Sequence, residues 1–140
     1  LIKASSDWVV INSESRKIVP AEDIYPKGLE YCTVKNFEKR LGKVPSFDKT
    51  ENSVTLCPGF SQLDMNGHVN NTKYANYAID ALDPKENEIF TSFQIDYRHE
   101  VKKGDTLKVS AHRDGETALV KGEDLSGNVM FACKMDIKNL

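Results

Sequence analysis

Apolar and polar residues alternate with a period of two through most of the second half of the chain. Phe93, Ile95, Tyr97 and Val101 alternate with Ser92, Gln94, Asp96 and Arg98, which is the pattern of a strand with one face buried. Leu107, Val109 and Ala111 alternate with Lys108, Ser110 and His112, Ala118 and Val120 follow, and Val129, Phe131, Cys133, Met135 and Ile137 alternate almost to the end. Between these runs lie turn-forming stretches: Lys102 to Asp105, Asp114-Gly115, and Leu125 to Asn128. Asp114-Gly115 is a two-residue hairpin signal, because both residue types tolerate a positive φ. The alternation predicts four strands, from Phe90 to Ile137, in an antiparallel meander.

Ahead of the meander the period changes. Lys73, Asn76, Asp80 and Asp83 lie three or four residues apart on one narrow polar edge, and Tyr74, Ala75, Tyr77, Ala78, Ile79, Ala81 and Leu82 fill the rest. A helix so patterned is buried on most sides. Its alanines Ala75, Ala78 and Ala81 let a sheet approach closely, and Asn70 or Asn71 can cap its first turn. Ser53 to Cys57 reads as a short strand ended by Pro58-Gly59. A strand, an engulfed helix and a meander give an α+β fold, an antiparallel sheet wrapped around a central helix. The beginning of the chain is less regular: Ser6 to Asn12 reads as a strand, Ser13 to Gly28 as a loop, and Leu29 to Leu41 as a helix stopped by Gly42 with Pro45 beyond it.

Bulk properties narrow the function classes. A chain of 140 residues, 39% hydrophobic and 29% charged, fits one globular domain with a real core. Its formal net charge of −2 argues against a nucleic-acid binder that works by neutralising phosphates. No apolar run approaches the roughly 20 residues that cross a bilayer, and the first residues lack the layout of a signal peptide. Cys32, Cys57 and Cys133 are odd in number and widely spaced, which indicates neither a disulfide framework nor a zinc knuckle and suits a reducing compartment, the cytoplasm. His99 and His112 give no ligand spacing with His68, so a metal site is not expected; no cofactor is expected either.

The chemistry is concentrated just before the helix. Asp64, Asn66, Gly67, His68, Asn70 and Asn71 crowd the entrance of an otherwise apolar segment. A helix start offers unpaired N–H groups and a favourable dipole for a carbonyl oxygen that becomes negative. Gly67 permits close approach of a ligand, and His68 and Asp64 can handle protons near neutral pH. The same residue types also serve as caps and turn formers, and composition alone divides evenly between the two readings. Glu100, beside Lys102 and Lys103, reads by itself as an exposed strand-end carboxylate.

The blocks "DMNGHVNNTKYANYAIDAL" and "FQIDYRHEV" together resemble the acyl-acyl-carrier-protein thioesterases of bacteria and plant plastids. That family carries an Asp-x-Asn-x-His-Val-Asn-Asn block and a later Tyr-Arg-x-Glu block in a hotdog fold, and the resemblance runs from Ser53 to Ile137. It implies hydrolysis of fatty acyl thioesters of acyl carrier protein, a step of fatty acid biosynthesis, with Asp64, Asn66, His68 and Glu100 as the catalytic set. Substrate is expected against Gly67, Val69, Asn70, Asn71 and Tyr74. Many plant relatives have a cysteine after the glutamate; Val101 stands there in this chain, which excludes a cysteine nucleophile at that position and favours attack by water.

Enzymes of this family are tandem hotdogs. Residues 1–52 then resemble the end of a first repeat plus a linker, and residues 53–140 the hotdog thioesterase domain. The expected partners are an acyl carrier protein, which is acidic in this family, and the missing N-terminal half or a second copy of this domain. Lys102, Lys103, Lys108 and Arg113 are candidates for the landing patch of the carrier. Strict alternation sets Glu100 on the face opposite Ile95 and Tyr97, so the glutamate meets the motif only if that strand end reaches the helix mouth. A coenzyme A thioesterase, a non-catalytic acyl-binding module and a hotdog dehydratase or hydratase are the alternatives.

Overall fold

The computed structural model describes every residue except Leu1, Leu29, Tyr31 and Cys32. It divides into two compact units, Leu1–Gly42 and Lys43–Leu140. In the first, β1 (Val10–Ile11) and β2 (Ile18–Val19) form a two-residue antiparallel ribbon. The Asn12 side-chain oxygen closes the intervening turn by accepting from the amides of Glu14 and Ser15. The predicted helix over 29–41 is not formed by Thr33–Leu41, and Leu29, Tyr31 and Cys32 lie outside the described residues.

The second unit contains one sheet and one helix. Strands β3 (Asn52–Leu56), β4 (Glu88–Tyr97), β5 (Leu107–Asp114), β6 (Thr117–Glu123) and β7 (Val129–Asn139) form an antiparallel sheet, and α1 (Asn71–Leu82) packs on β3, β5, β6 and β7. This is the hotdog arrangement. Tyr74, Tyr77, Ala78, Ala81 and Leu82 are the buried residues of the helix, while Asn76, Asp80 and Asp83 stay exposed along the predicted polar edge. Leu107, Val109, Val120, Phe131, Cys133, Met135 and Ile137 meet it from the sheet, all of them essentially inaccessible to water. Each large apolar side chain so buried contributes about 1.5–3 kcal/mol. No helix among the described residues is long and apolar enough to cross a membrane.

Two features depart from the expected meander. The strand order is β3-β5-β6-β7-β4, so only β5, β6 and β7 follow one another as neighbours, and β4 pairs with β7 at the far edge. Alternation reports which face a strand buries but not which strand lies beside it; here the crossing helix carries the chain from one edge to the other. The β5–β6 hairpin turns at Gly115-Glu116, one residue later than Asp114-Gly115, because Asp114 is still paired, with Thr117. Gly115 adopts φ +59°, as the first central position of a tight hairpin turn requires.

Residues 43–52 are packed with the second unit although their sequence carries no periodic pattern. Val44 is buried, and its amide donates to Asp96 Oδ2 at 2.6 Å. Farther along, the Phe47 ring stacks on His112 at 5.9 Å between centroids, with Lys121 Nζ 5.3 Å from its centre. This strap crosses the face of the sheet turned away from the helix before entering β3.

Candidate active site

The motif residues build a tight loop before they build a site. Leu63 and Val69 form an isolated antiparallel bridge, and Asp64 ties the chain between them. Its backbone N–H donates to His68 O at 2.7 Å, and its Oδ1 accepts from Asn66 N at 2.8 Å and His68 N at 3.1 Å. A short acceptor side chain folding onto amides two and four residues on favours a turn over continued strand. Gly67 completes the loop with φ +77°, a conformation that is costly for residues with a β-carbon. Asn70 then caps α1, its Oδ1 accepting from Thr72 N at 3.0 Å and Thr72 Oγ1 at 2.8 Å.

The second block reaches this loop because β4 ends early. Arg98 and His99 both donate their amides to Met130 O, at 2.9 and 3.1 Å, so two consecutive residues face one carbonyl and the alternation breaks. Glu100 therefore lies beyond the strand and escapes the parity rule. The chain then bends back to the motif: Val69 N donates to Val101 O at 2.7 Å, and His68 bridges Lys102 in antiparallel fashion. His68 Nε2 and Glu100 Oε2 stand 3.4 Å apart, the first side chain about a quarter exposed and the second under half. That separation is longer than a typical hydrogen bond and within the range of an ion pair when the imidazole is protonated.

A cavity of about 290 Å³ opens beside this pair, lined by Asp64, His68, Val69, Asn71, Tyr74, Tyr97, Arg98, His99 and Glu100. Its aromatic part is held edge to face: Tyr74 meets Tyr97 at 5.3 Å and the buried Phe131 at 5.1 Å between centroids. Burial pushes the Tyr74 hydroxyl up to about 12; the backbone of Val101 opposes the rise, and Tyr77, Tyr97 and Asp64 add to it. Tyr97 is raised mainly by burial and secondarily by Cys133. Both hydroxyls therefore remain neutral near pH 7. Tyr97 also donates its hydroxyl to Asn71 O at 3.0 Å, tying the edge strand to the start of the helix.

The expected residues divide into two groups. Asp64, His68, Val69, Asn71, Tyr74 and Glu100 line the cavity, whereas Asn66, Gly67 and Asn70 do not. Asn66 is exposed on the turn, Gly67 serves the turn through its left-handed φ, and the side-chain oxygen of Asn70 is engaged in capping. Most motif amides are also taken. Those of Asn66 and His68 meet Asp64 Oδ1, that of Gly67 meets Asp64 O, and those of Val69, Asn70, Thr72 and Lys73 meet Val101 O, Gln62 O, Asn70 Oδ1 and Asn70 O. Among the described hydrogen bonds the Asn71 amide has no partner, and this residue borders the cavity. Tyr97, Arg98 and His99 were not expected in the lining, although the Tyr-Arg-x-Glu block contains all three.

Comparison with known proteins places this chain in a family. The model of the acyl-ACP thioesterase C-terminal domain matches residues 46–136. A chloroplastic acyl-[acyl-carrier-protein] hydrolase of Cuphea viscosissima is 32% identical over 118 residues, covering 77% of this chain and 28% of the relative. Among solved structures, the 12:0-ACP thioesterase from Umbellularia californica superposes with a TM-score of 0.74 at 22% identity, over 93% of this chain and 53% of that one. An acyl-ACP thioesterase from Bacteroides thetaiotaomicron gives 0.68 at 24% identity, over 91% and 53%. The chain thus spans under a third of that curated relative and about half of each solved one. With its hotdog sheet, its capped helix and a family match through nearly all of the second unit, the chain belongs to the acyl-ACP thioesterase C-terminal domain family.

Proposed function

We propose that this domain hydrolyses fatty acyl thioesters of acyl carrier protein, releasing free fatty acid, with water as the nucleophile. The observation that carries the reading is the pairing of His68 with Glu100, 3.4 Å apart, at a cavity bordered by aromatic rings. Glu100 accepts a proton from water as the water oxygen attacks the thioester carbon, and His68 orients that water. Asp64 holds the loop that presents His68. Asn66, on the turn outside the lining, steadies the thioester at the mouth. The growing negative charge on the carbonyl oxygen is met by the Asn71 amide at the helix start. The intermediate collapses with loss of the thiolate, to which the proton held by Glu100 passes. Because a thiolate leaves readily, modest activation of water suffices.

The same reading assigns the other partners. Phe93, Ile95 and Tyr97 of β4 pair in register with Met135, Cys133 and Phe131, and cross-strand partners share a face. They therefore lie on the side of the sheet that holds the helix, yet Phe93 and Tyr97 remain exposed at the edge. An edge with no further paired strand among the described residues, carrying an apolar row, fits a second hotdog, either an N-terminal half or a second copy. The reaction belongs in an aqueous, reducing phase. The cytoplasm meets that requirement, as does the plastid interior suggested by the chloroplastic naming of the plant relative.

The test is thiol release from a long-chain acyl carrier protein, run beside the Glu100→Ala variant. General acid–base groups contribute about 10²- to 10⁴-fold, so a loss of at least about 100-fold is expected, with an unchanged melting temperature. A variant as active as the parent would remove Glu100 from the chemistry, and acyl-coenzyme A offered in parallel separates the two carriers.

A further inference from the structure

We propose that the surface formed by Phe60, Met65, Lys102 and Lys103 is where the carrier protein itself lands, as distinct from the acyl arm that it delivers. This rests on the hydrolytic reading above. Phe60 and Met65 are 80% and 103% exposed and stand on two neighbouring turns. Both turns adjoin the motif loop that supplies Asp64 and His68 to the cavity: Met65 directly follows Asp64, and Asn70 N donates back to Gln62 O at 2.8 Å, holding the Phe60 turn against the motif. Lys102 and Lys103 follow Glu100 after one intervening residue and are exposed. Lys102 bridges His68 through the backbone, and Lys103 Nζ stands 5.9 Å from the centre of the Phe60 ring. Apolar side chains flanked by lysines beside a reaction centre suit an acidic protein that carries its substrate on a flexible arm.

The other basic candidates are less suited. Arg113 is committed to Glu88, at 2.7 Å, and to Gly115 O, at 3.1 Å. Lys108 alternates with the buried Leu107 and Val109, so it lies on the sheet face turned away from the helix. Asp105, on the C-terminal side of the two lysines, accepts from Lys102 N at 2.8 Å, which draws its carboxylate into the turn. Lys102 and Lys103 are exposed residues, as are Phe60 and Met65, and Lys103 Nζ lies over the Phe60 ring. Coenzyme A offers phosphates to the lysines but no surface broad enough to cover both apolar side chains, which favours a protein occupant.

The test uses the full-length protein with Lys102→Glu and Lys103→Glu combined, and separately with Phe60→Ser and Met65→Ser combined. Binding of holo-acyl carrier protein is measured by calorimetry at two salt concentrations, and turnover is measured with an acyl-pantetheine thioester that lacks both carrier and phosphate. The lysine pair is expected to weaken carrier binding by about tenfold or more at low salt and to flatten its salt dependence. The apolar pair is expected to weaken binding at both salts. Acyl-pantetheine turnover stays within about twofold of the parent in each, a split that misfolding would not give. Carrier binding unchanged in both pairs, with hydrolysis of acyl carrier protein intact, overturns this surface and leaves the hydrolytic reading standing. A parent protein that neither binds the carrier nor cleaves its thioester overturns both.

Discussion

Asp64 is the residue on which the site's local geometry depends, and it acts largely through the backbone. Its carboxylate replaces the partners that Asn66 N and His68 N would find in a continued strand, so it sets the direction from which His68 enters the cavity. Asp64→Ala is expected to cost about 1–2 kcal/mol of stability, read from urea unfolding, together with most of the activity. Asp64→Asn keeps an acceptor oxygen and should recover most of the stability. If both variants lose stability equally, the acceptor oxygen is not what holds the turn. The residue types of this loop were legible in the sequence, but their division of labour was not. Cap, turn and catalyst draw on the same short polar side chains, and only hydrogen-bond partners tell Asn70, engaged with Thr72, from Asn71, whose amide has no described partner.

At the scale of elements, the contact between β6 and β7 supports the cavity from below. Gly122 faces Phe131 across the ladder, and a β-carbon on the glycine would overlap the phenyl ring. The ring occupies that space and carries Tyr74 on its edge, so the smallest side chain in β6 indirectly seats a wall of the site. Gly122→Ala is expected to lower stability by about 1–3 kcal/mol, as overpacking does, and to change the near-ultraviolet signal of the tyrosines around the cavity. A melting temperature and spectrum equal to the parent would show that the ring moves aside without cost. The period-2 pattern located β5, β6 and β7 well, since one face of each is buried and one is not. It could not show that β4 lies beside β7, nor that the consecutive amides of Arg98 and His99 share one carbonyl and release Glu100 from its predicted face.

For the molecule as a whole, the buried ionisable groups predict how stability varies with pH. Burial raises the Cys133 thiol from 9.0 to about 12, with Asp96 adding to the rise, and the Tyr74 hydroxyl from 10.0 to about 12. Both groups are neutral when protonated, so the folded state keeps protons that the unfolded state has begun to lose. Stability is therefore at its full value below pH 9 and declines as pH rises toward 12, by about 1.4 kcal/mol per pH unit for each group in its window. Unfolding midpoints measured from pH 8 to 11 should fall from about pH 9, and Cys133→Ala should remove the onset between pH 9 and 10. A flat profile across that range would show that neither group stays protonated in the folded protein.

Several properties follow from the sequence alone because they depend on local pattern and residue chemistry. The burial of α1 follows from its narrow polar edge, the alternating faces of the sheet from period-2 spacing, and the polar loop at the helix entrance from the residues that favour turns and caps. The resemblance of the two blocks, far apart in the chain, pointed to one family and one site. What required the tertiary structure was everything set by distance between remote segments. It decided the place of β4 at the sheet edge, the packing of residues 43–52 across the outer face, and which motif amides are already engaged. It also decided the approach of Glu100 to His68. That pair is separated by more than thirty residues, and it meets because the backbone of Val69 finds Val101 and that of His68 finds Lys102, a pairing that no periodicity in the sequence encodes.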